Sequence, residues 1–170
     1  MENYSQITTW CRAMMELFVN EGDICIDATA GNGNDTLFLC ERTGKQGKVY
    51  AFDIQEKAIC ATREKTTAAG YAPELYLAGH ETMGKYVKEA GEVSLVVFNF
   101  GYLPGGNHEI HTQAKTSIEA ITAGLQLLKK GGALCLCIYS GGDSGFEEKD
   151  AILSYLKQLD SKQYLVLTME

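Results

Sequence analysis

Ile24-Cys25-Ile26-Asp27-Ala28-Thr29-Ala30-Gly31-Asn32-Gly33-Asn34-Asp35-Thr36 is the stretch on which the fold of this chain turns. A short apolar run breaks into a turn of small residues and glycines, and Leu37, Phe38 and Leu39 then open an apolar-periodic segment. Strand, tight glycine turn and helix N-terminus, in that order, let backbone N–H groups approach a ligand closely. The side chains of the turn decide which ligand. A dinucleotide fingerprint needs three glycines spaced G-x-G-x-x-G, the third for helix–strand packing, with a pyrophosphate at the helix N-terminus. Gly31 and Gly33 supply two, but Thr36 holds the third place. Asp27 ends the strand and Asp35 lies in the first turn of the helix. Carboxylates there repel a pyrophosphate and favour an ammonium. The turn suits a zwitterionic ligand such as S-adenosyl-L-methionine (SAM) better than NAD.

Outward from this stretch, helical and strand periodicities alternate. An amphipathic helix over Ile7–Val19 precedes the first strand, Asp23–Asp27, and a helix over Asp35–Thr43 follows the turn. Lys48–Asp53 is the second strand, Ile54–Ala69 a helix, Glu74–Ala78 the third strand, and His80–Glu89 a polar helix or turn. Val93–Asn99 is the fourth strand, and the breakers Gly101, Pro104, Gly105 and Gly106 make a loop. A helix over Ser117–Lys130, a fifth strand over Ala133–Tyr139, a loop over Ser140–Gly145, a helix over Phe146–Leu159 and a sixth strand over Gln163–Met169 complete the chain. This spacing predicts an α/β fold: a single doubly wound, mainly parallel sheet with helices on both faces, one domain over residues 1–170. The ligand belongs outside the carboxyl ends of the strands, at the switch point beside the first strand.

Composition narrows the classes. The 170 residues are 45% hydrophobic and 22% charged, ordinary for a globular domain able to bury a core. No run reaches the roughly 18 apolar residues of a membrane span, and the acidic, amphipathic start is unlike a signal peptide. The net charge of −7 argues against a general DNA or RNA coat protein, yet leaves room for one structured RNA on a local basic patch. Arg12, Lys85, Lys88 and Lys115 are candidates for that patch, and a homodimer would pool two such patches. Six cysteines without a CxxC, mostly in apolar stretches, read as small buried hydrophobes in a reducing cytoplasm. No metal is expected, since His80, His108 and His111 lack ligand spacing with them.

The residues at the strand ends carry the chemistry. Asp53 ends the second strand 20 residues after Gly33, where an acidic side chain accepts from a ribose diol. Ile54 can cover a face of adenine and Gln55 can reach the ribose, although ordinary surface roles suit either one equally. His80 follows the third strand, where the adenine edge falls. At the end of the fourth strand, the Asn99 carbonyl can accept from an amine and aim its lone pair at a methyl group, with Tyr102 walling the pocket. Such positioning supplies much of the rate of methyl transfer. His108 and His111, in the next loop, are candidate proton acceptors. Gly141–Lys149 is a candidate substrate-side loop, or a flexible turn with Ser144 as helix cap.

Together, Asp27-Ala28-Thr29 with Gly31–Thr36, Phe52-Asp53-Ile54-Gln55, Phe98–Gly106, and Gly141-Gly142 ahead of Glu147-Glu148-Lys149 resemble the YtqB/MnmM-type methyltransferases, a family long labelled rRNA methylases. The resemblance covers essentially the whole chain. It implies a class I SAM-dependent methyltransferase (Rossmann-like) fold and methylation of the wobble 5-aminomethyl-2-thiouridine in a tRNA anticodon stem-loop. It further implies that Asn32, Asn34, Asp53, Gln55 and His80 bind SAM, and that Asn99 and Tyr102 line the methyl-transfer pocket. The family's chain runs on beyond the position of Glu170, so the expectation is a sheet without its last strand and with an unpaired edge. An rRNA or a small amine as acceptor, a nicotinamide-dependent oxidoreductase and a non-catalytic SAM-binding domain are the alternatives.

Overall fold

The apolar run Ile24–Asp27 forms strand β1, in which Cys25, Ile26 and Asp27 are fully covered. The computed structural model, which describes residues 7–101, 112–139 and 142–169, places β1 in the middle of a sheet. Its neighbours are β2 (Lys48–Asp53) and β4 (Val93–Phe100). β3 (Glu74–Leu77) flanks β2 and β5 (Leu128–Ile138) flanks β4, so the order is 3-2-1-4-5 and every pairing is parallel.

Parallel strands need helices on both faces, and the strand sequences are sorted accordingly. Val93, Val96, Phe98 and Phe100 of β4 enter one core with Ile26 and Phe52, while Leu95 and Val97 enter the other with Cys25 and Val49. Helices α4 (Ala114–Leu127) and α5 (Gly142–Leu156) and a 3-10 turn at His80–Lys85 close the first core through Ile121, Ile152 and Met83. Helices α1 (Ile7–Glu16) and α2 (Asn34–Thr43) close the second through Met15 and Leu39. Burying each such side chain contributes about 1.5–3 kcal/mol. Helix α3 (Glu56–Ala68) crosses α2 at Gly33. A Cβ on Gly33 would stand 2.8 Å from the Thr62 Cα, and its φ of +74° is left-handed, so glycine alone fits. All six cysteines are free, and the Cys11 and Cys135 thiols touch at 3.1 Å, joining α1 to β5.

Three expectations need correction. The helix expected to reach Lys130 ends at Leu127, and β5 starts at once. The Gly91 N–H takes the Leu127 carbonyl, Lys129 pairs with Asp23 at 2.9 Å, and Gly132 slips against the Val93 and Ser94 carbonyls where a Cβ has no room. Helix α5 starts at Gly142 rather than Phe146, which shortens the expected loop; Glu148, in its second turn, is bonded to Thr112 and Ser117 and pins that end of the helix to α4. The expected sixth strand at Gln163–Met169 is absent from the described residues. Tyr164–Met169 has no regular structure, and Leu165 is 86% exposed. Its residue types favour a strand, but a strand exists only where a neighbour takes up its N–H and C=O groups. The described sheet ends at β5.

Candidate active site

The sheet changes winding direction at β1, which opens a crevice at the carboxyl ends of β1, β2 and β4. A cleft of about 330 Å³ lies there, within the range of small-molecule sites. The turn after β1 is built on Asp27. Its carboxylate accepts from the Thr36 hydroxyl at 2.6 Å and from the Thr29 N–H at 3.1 Å. Full burial, with the charge of Asp35 adding, pushes its pKa up to about 7. Asp27 and Thr36 are thus turned toward each other. The threonine in the third glycine's place anchors the buried carboxylate.

The turn is tied to the end of β2. The Ala30 N–H donates to the Phe52 carbonyl at 2.9 Å, and the Gly31 N–H donates to Asp53 Oδ2 at 3.0 Å. Asp53 Oδ1 accepts from the Gln55 N–H at 2.8 Å. A carboxylate has about four lone-pair sites, so capacity remains for a diol. Beside it Ile54 is 59% exposed, a large apolar side chain on the cleft wall. His80 lies edge-on to Phe98 and Phe100 and bonds to the Ala28 backbone. Burial lowers its pKa against the opposing charges of Glu81 and Glu148, which keeps the ring neutral at neutral pH. At the end of β4, the Asn99 N–H donates to Thr29 Oγ1 at 2.7 Å and its Nδ2 donates to Asp35 Oδ2 at 2.9 Å.

Gly31, Asp53, Ile54, Gln55, His80 and Asn99 therefore line one cleft. Asp27, Asn32, Gly33, Asn34, Asp35 and Thr36 are not among the described residues lining it. Asn32 and Asn34 are exposed on the turn, and Asn34 Oδ1 accepts from Lys65 Nζ. The two acidic residues thus bond within the turn and to Asn99, rather than standing bare before a ligand. Tyr102, His108, His111 and Gly141 lie outside the described residues. Lys85, Lys88 and Lys115 are exposed, while Arg12 lies 3.7 Å from Asp35.

Thr112, Gln113 and Thr116, at the start of α4, form the opposite wall and were not singled out in the sequence. Their anchor is Glu148, 4% exposed, which accepts from Thr112 Oγ1 at 2.8 Å and from Ser117 Oγ at 2.6 Å. One signal could have found it. Glu148 stands four residues before the fully buried Ile152, so it is an acidic residue on the core stripe of its helix.

The residues present fit SAM: a diol-accepting carboxylate, an apolar face for a flat ring and an acceptor amide converge on a cleft of suitable size. Among the described residues no cluster could hold a metal ion, and no helix is long and apolar enough to cross a membrane. Comparison with known proteins agrees. A family described as "Putative rRNA methylase" matches residues 49–170. The chain is 38% identical over 158 residues to the chloroplastic tRNA (mnm5s2U34)-methyltransferase of Arabidopsis thaliana, covering 87% of this chain. It spans 58% of that relative's length. The crystal structure of a protein described as a "putative rRNA-methylase" from Clostridium thermocellum superposes with a TM-score of 0.89 at 43% identity, over 95% of this chain and 86% of the other. A Streptococcus mutans protein described as "a putative methyltransferase", solved in complex with SAH, superposes at 0.83 and 39% identity, with the same coverage.

Proposed function

This chain belongs to the "Putative rRNA methylase" family, of class I SAM-dependent methyltransferase fold, and from there we propose that it is an N-methyltransferase acting on the wobble 5-aminomethyl-2-thiouridine of a tRNA anticodon stem-loop. The observation that carries the cofactor half is the Asp53 carboxylate, gripped by the Gly31 and Gln55 N–H groups beside the exposed Ile54. The acceptor half is supported by the amide of Asn99 in the same cleft and by the activity in the name of the plant relative.

Bound SAM supplies a methyl group already activated on a sulfonium. The chain's residues then bind and align. Asp53 and Gln55 hold the ribose, Ile54 covers the adenine, and neutral His80 meets the adenine edge. Asp27, Gly33 and Thr36 keep the shape of the turn, and Asn32 and Asn34 form its rim. Asn99 Oδ1 accepts an N–H of the acceptor amine and aims its lone pair at the methyl carbon. The amine would attack as the free base, its N–C bond forming as the methyl leaves the sulfur, which would keep the electron pair; Tyr102, by the family resemblance, would wall the base. Alignment of this kind is worth about 7–11 kcal/mol of barrier in well-oriented reactions.

The test is transfer of labelled methyl from SAM to tRNA carrying the unmethylated aminomethyl-thiouridine. Label on the wobble base is expected with the native chain and is lost in Asp53→Ala, with SAM affinity down by about a hundredfold, the worth of a hydrogen-bonded charged group. SAM binding without transfer to this tRNA would point to another acceptor. Absence of SAM binding would overturn the assignment of the cleft.

A further inference from the structure

Asn99 has two ends of nearly equal shape and opposite chemistry: Oδ1 only accepts and Nδ2 only donates. Which end faces the cleft matters. An attacking amine needs an acceptor for its N–H and a free lone pair, and an inward Nδ2 would tie that lone pair up. Side-chain shape does not choose between the two rotations. The choice comes from outside the cleft, where Asp35 Oδ2 lies 2.9 Å from Asn99 Nδ2. A carboxylate can only accept, so it takes the NH2 end and leaves Oδ1 to turn inward. The backbone of Asn99 is held separately, through its N–H on the Thr29 hydroxyl. Asp35 is itself braced from α1: Arg12 Nε lies 3.7 Å from Oδ1, and Arg12 Nη2 reaches the Asn34 carbonyl at 3.4 Å.

We propose that Asp35 is a positioning residue that sets the rotation of the Asn99 amide, with Arg12 bracing it, so that Oδ1 faces the acceptor amine. Asp35 then serves the methyl acceptor rather than the ammonium of SAM, and α1 takes part in the reaction geometry although it packs on the far side of the turn. What the oriented amide does rests on the N-methylation reading; the orientation itself rests on the geometry alone.

Two measurements test this separately. In the first, the side-chain amide of Asn99 is observed by NMR in asparagine-labelled protein. Its NH2 protons are expected to exchange with water more slowly than those of the exposed Asn32, and Asp35→Asn, which can present either end, removes that protection. Equal exchange in the native chain would overturn the proposal whatever the substrate. The second is kinetic. Asp35→Asn is expected to lower kcat about tenfold or more while SAM affinity by calorimetry stays unchanged, as for a misplaced reacting group. Arg12→Gln lowers kcat less, in the same direction. The exchanged pair Asp35→Asn with Asn99→Asp restores an amide donor facing a carboxylate, and is expected to recover part of the rate lost in Asn99→Asp alone. Parallel loss of kcat and SAM affinity in Asp35→Asn would make Asp35 a cofactor ligand and end the proposal. If the native chain leaves the tRNA unmethylated, the acceptor assignment fails, while the exchange experiment still decides the orientation.

Discussion

The two walls of the cleft are held in different ways. On one, Gly31, Asp53, Ile54 and Gln55 are set by bonds between adjacent strand ends: Ala30 N–H to Phe52, Gly31 N–H to Asp53, Gln55 N–H back to Asp53. These bonds continue the ladder of β1 and β2, so this wall is as stiff as the sheet. On the other, Thr112 and Gln113 lead into α4 and Thr116 lies in its first turn. Glu148 of α5 accepts from Thr112 and Ser117, the Thr112 N–H donates to the Gly101 carbonyl, and Thr122 meets the Tyr155 hydroxyl farther along the two helices. The two walls divide the labour. A preformed wall suits a small cofactor that is the same at every turnover. A wall held mainly by side-chain bonds between two helices suits a large acceptor that must enter and leave.

Removing the Glu148 carboxylate has the largest expected effect on the helical wall. Glu148→Ala strands the Thr112 and fully buried Ser117 hydroxyls and empties a buried site. Each stranded group costs about 1–3 kcal/mol. A fall in melting temperature of roughly 4–10 °C is expected for a chain of this size. Glu148→Gln, which keeps the volume and one acceptor, loses about half as much. In both, KM for the RNA rises while SAM affinity in the folded protein is unchanged, by thermal melting, steady-state kinetics and calorimetry. Equal losses for RNA and SAM would mean that the two walls are one rigid body.

The stiff wall was legible in the sequence because a sheet buried on both faces leaves a plain trace. Apolar runs stop at Asp27, Asp53 and Asn99, and Ala28, Asp53 and Asn99 at those ends line the cleft. The aim of each turn side chain was not legible. Asp35 reads as a carboxylate for a ligand, yet it meets Asn99, 64 residues away, and no spacing along the chain encodes that meeting. On the other wall, Gly141–Lys149 reads as a substrate-side loop, but the partners of Glu148, Thr112 and Ser117, were hidden for the same reason, since they meet it only once α4 and α5 have docked. Gln163–Met169 erred in the other direction: the residues are strand formers, but no described strand lies beside them.

The turn behind the stiff wall carries a pH dependence through Asp27. Asp27 holds its proton more tightly when folded, up to about 7, than in the unfolded chain, where a carboxyl titrates near 3.8. Its contribution to stability is therefore full below the unfolded value and is lost as the pH rises through about 7. Asp27→Asn keeps the shape and removes the titration. Its melting temperature is expected to fall less than that of the native chain between about pH 5 and about pH 8, by a few degrees. Parallel melting curves for the two proteins would show that the Thr36 and Thr29 bonds hold the buried group charged throughout, and that the turn is insensitive to pH.

The smallest expected effect falls on the stiff wall, at Ile54. Ile54 is 59% exposed, so Ile54→Ala leaves stability within about 0.5 kcal/mol. If the side chain covers the adenine, the substitution removes about 1 kcal/mol of apolar contact on binding, roughly a fivefold weakening. The adenine is common to SAM and its demethylated product SAH, so calorimetry should give the same weakening for both ligands. A loss confined to SAM would instead put Ile54 beside the sulfonium, and the stiff wall would then hold the reacting end of the cofactor rather than its nucleoside.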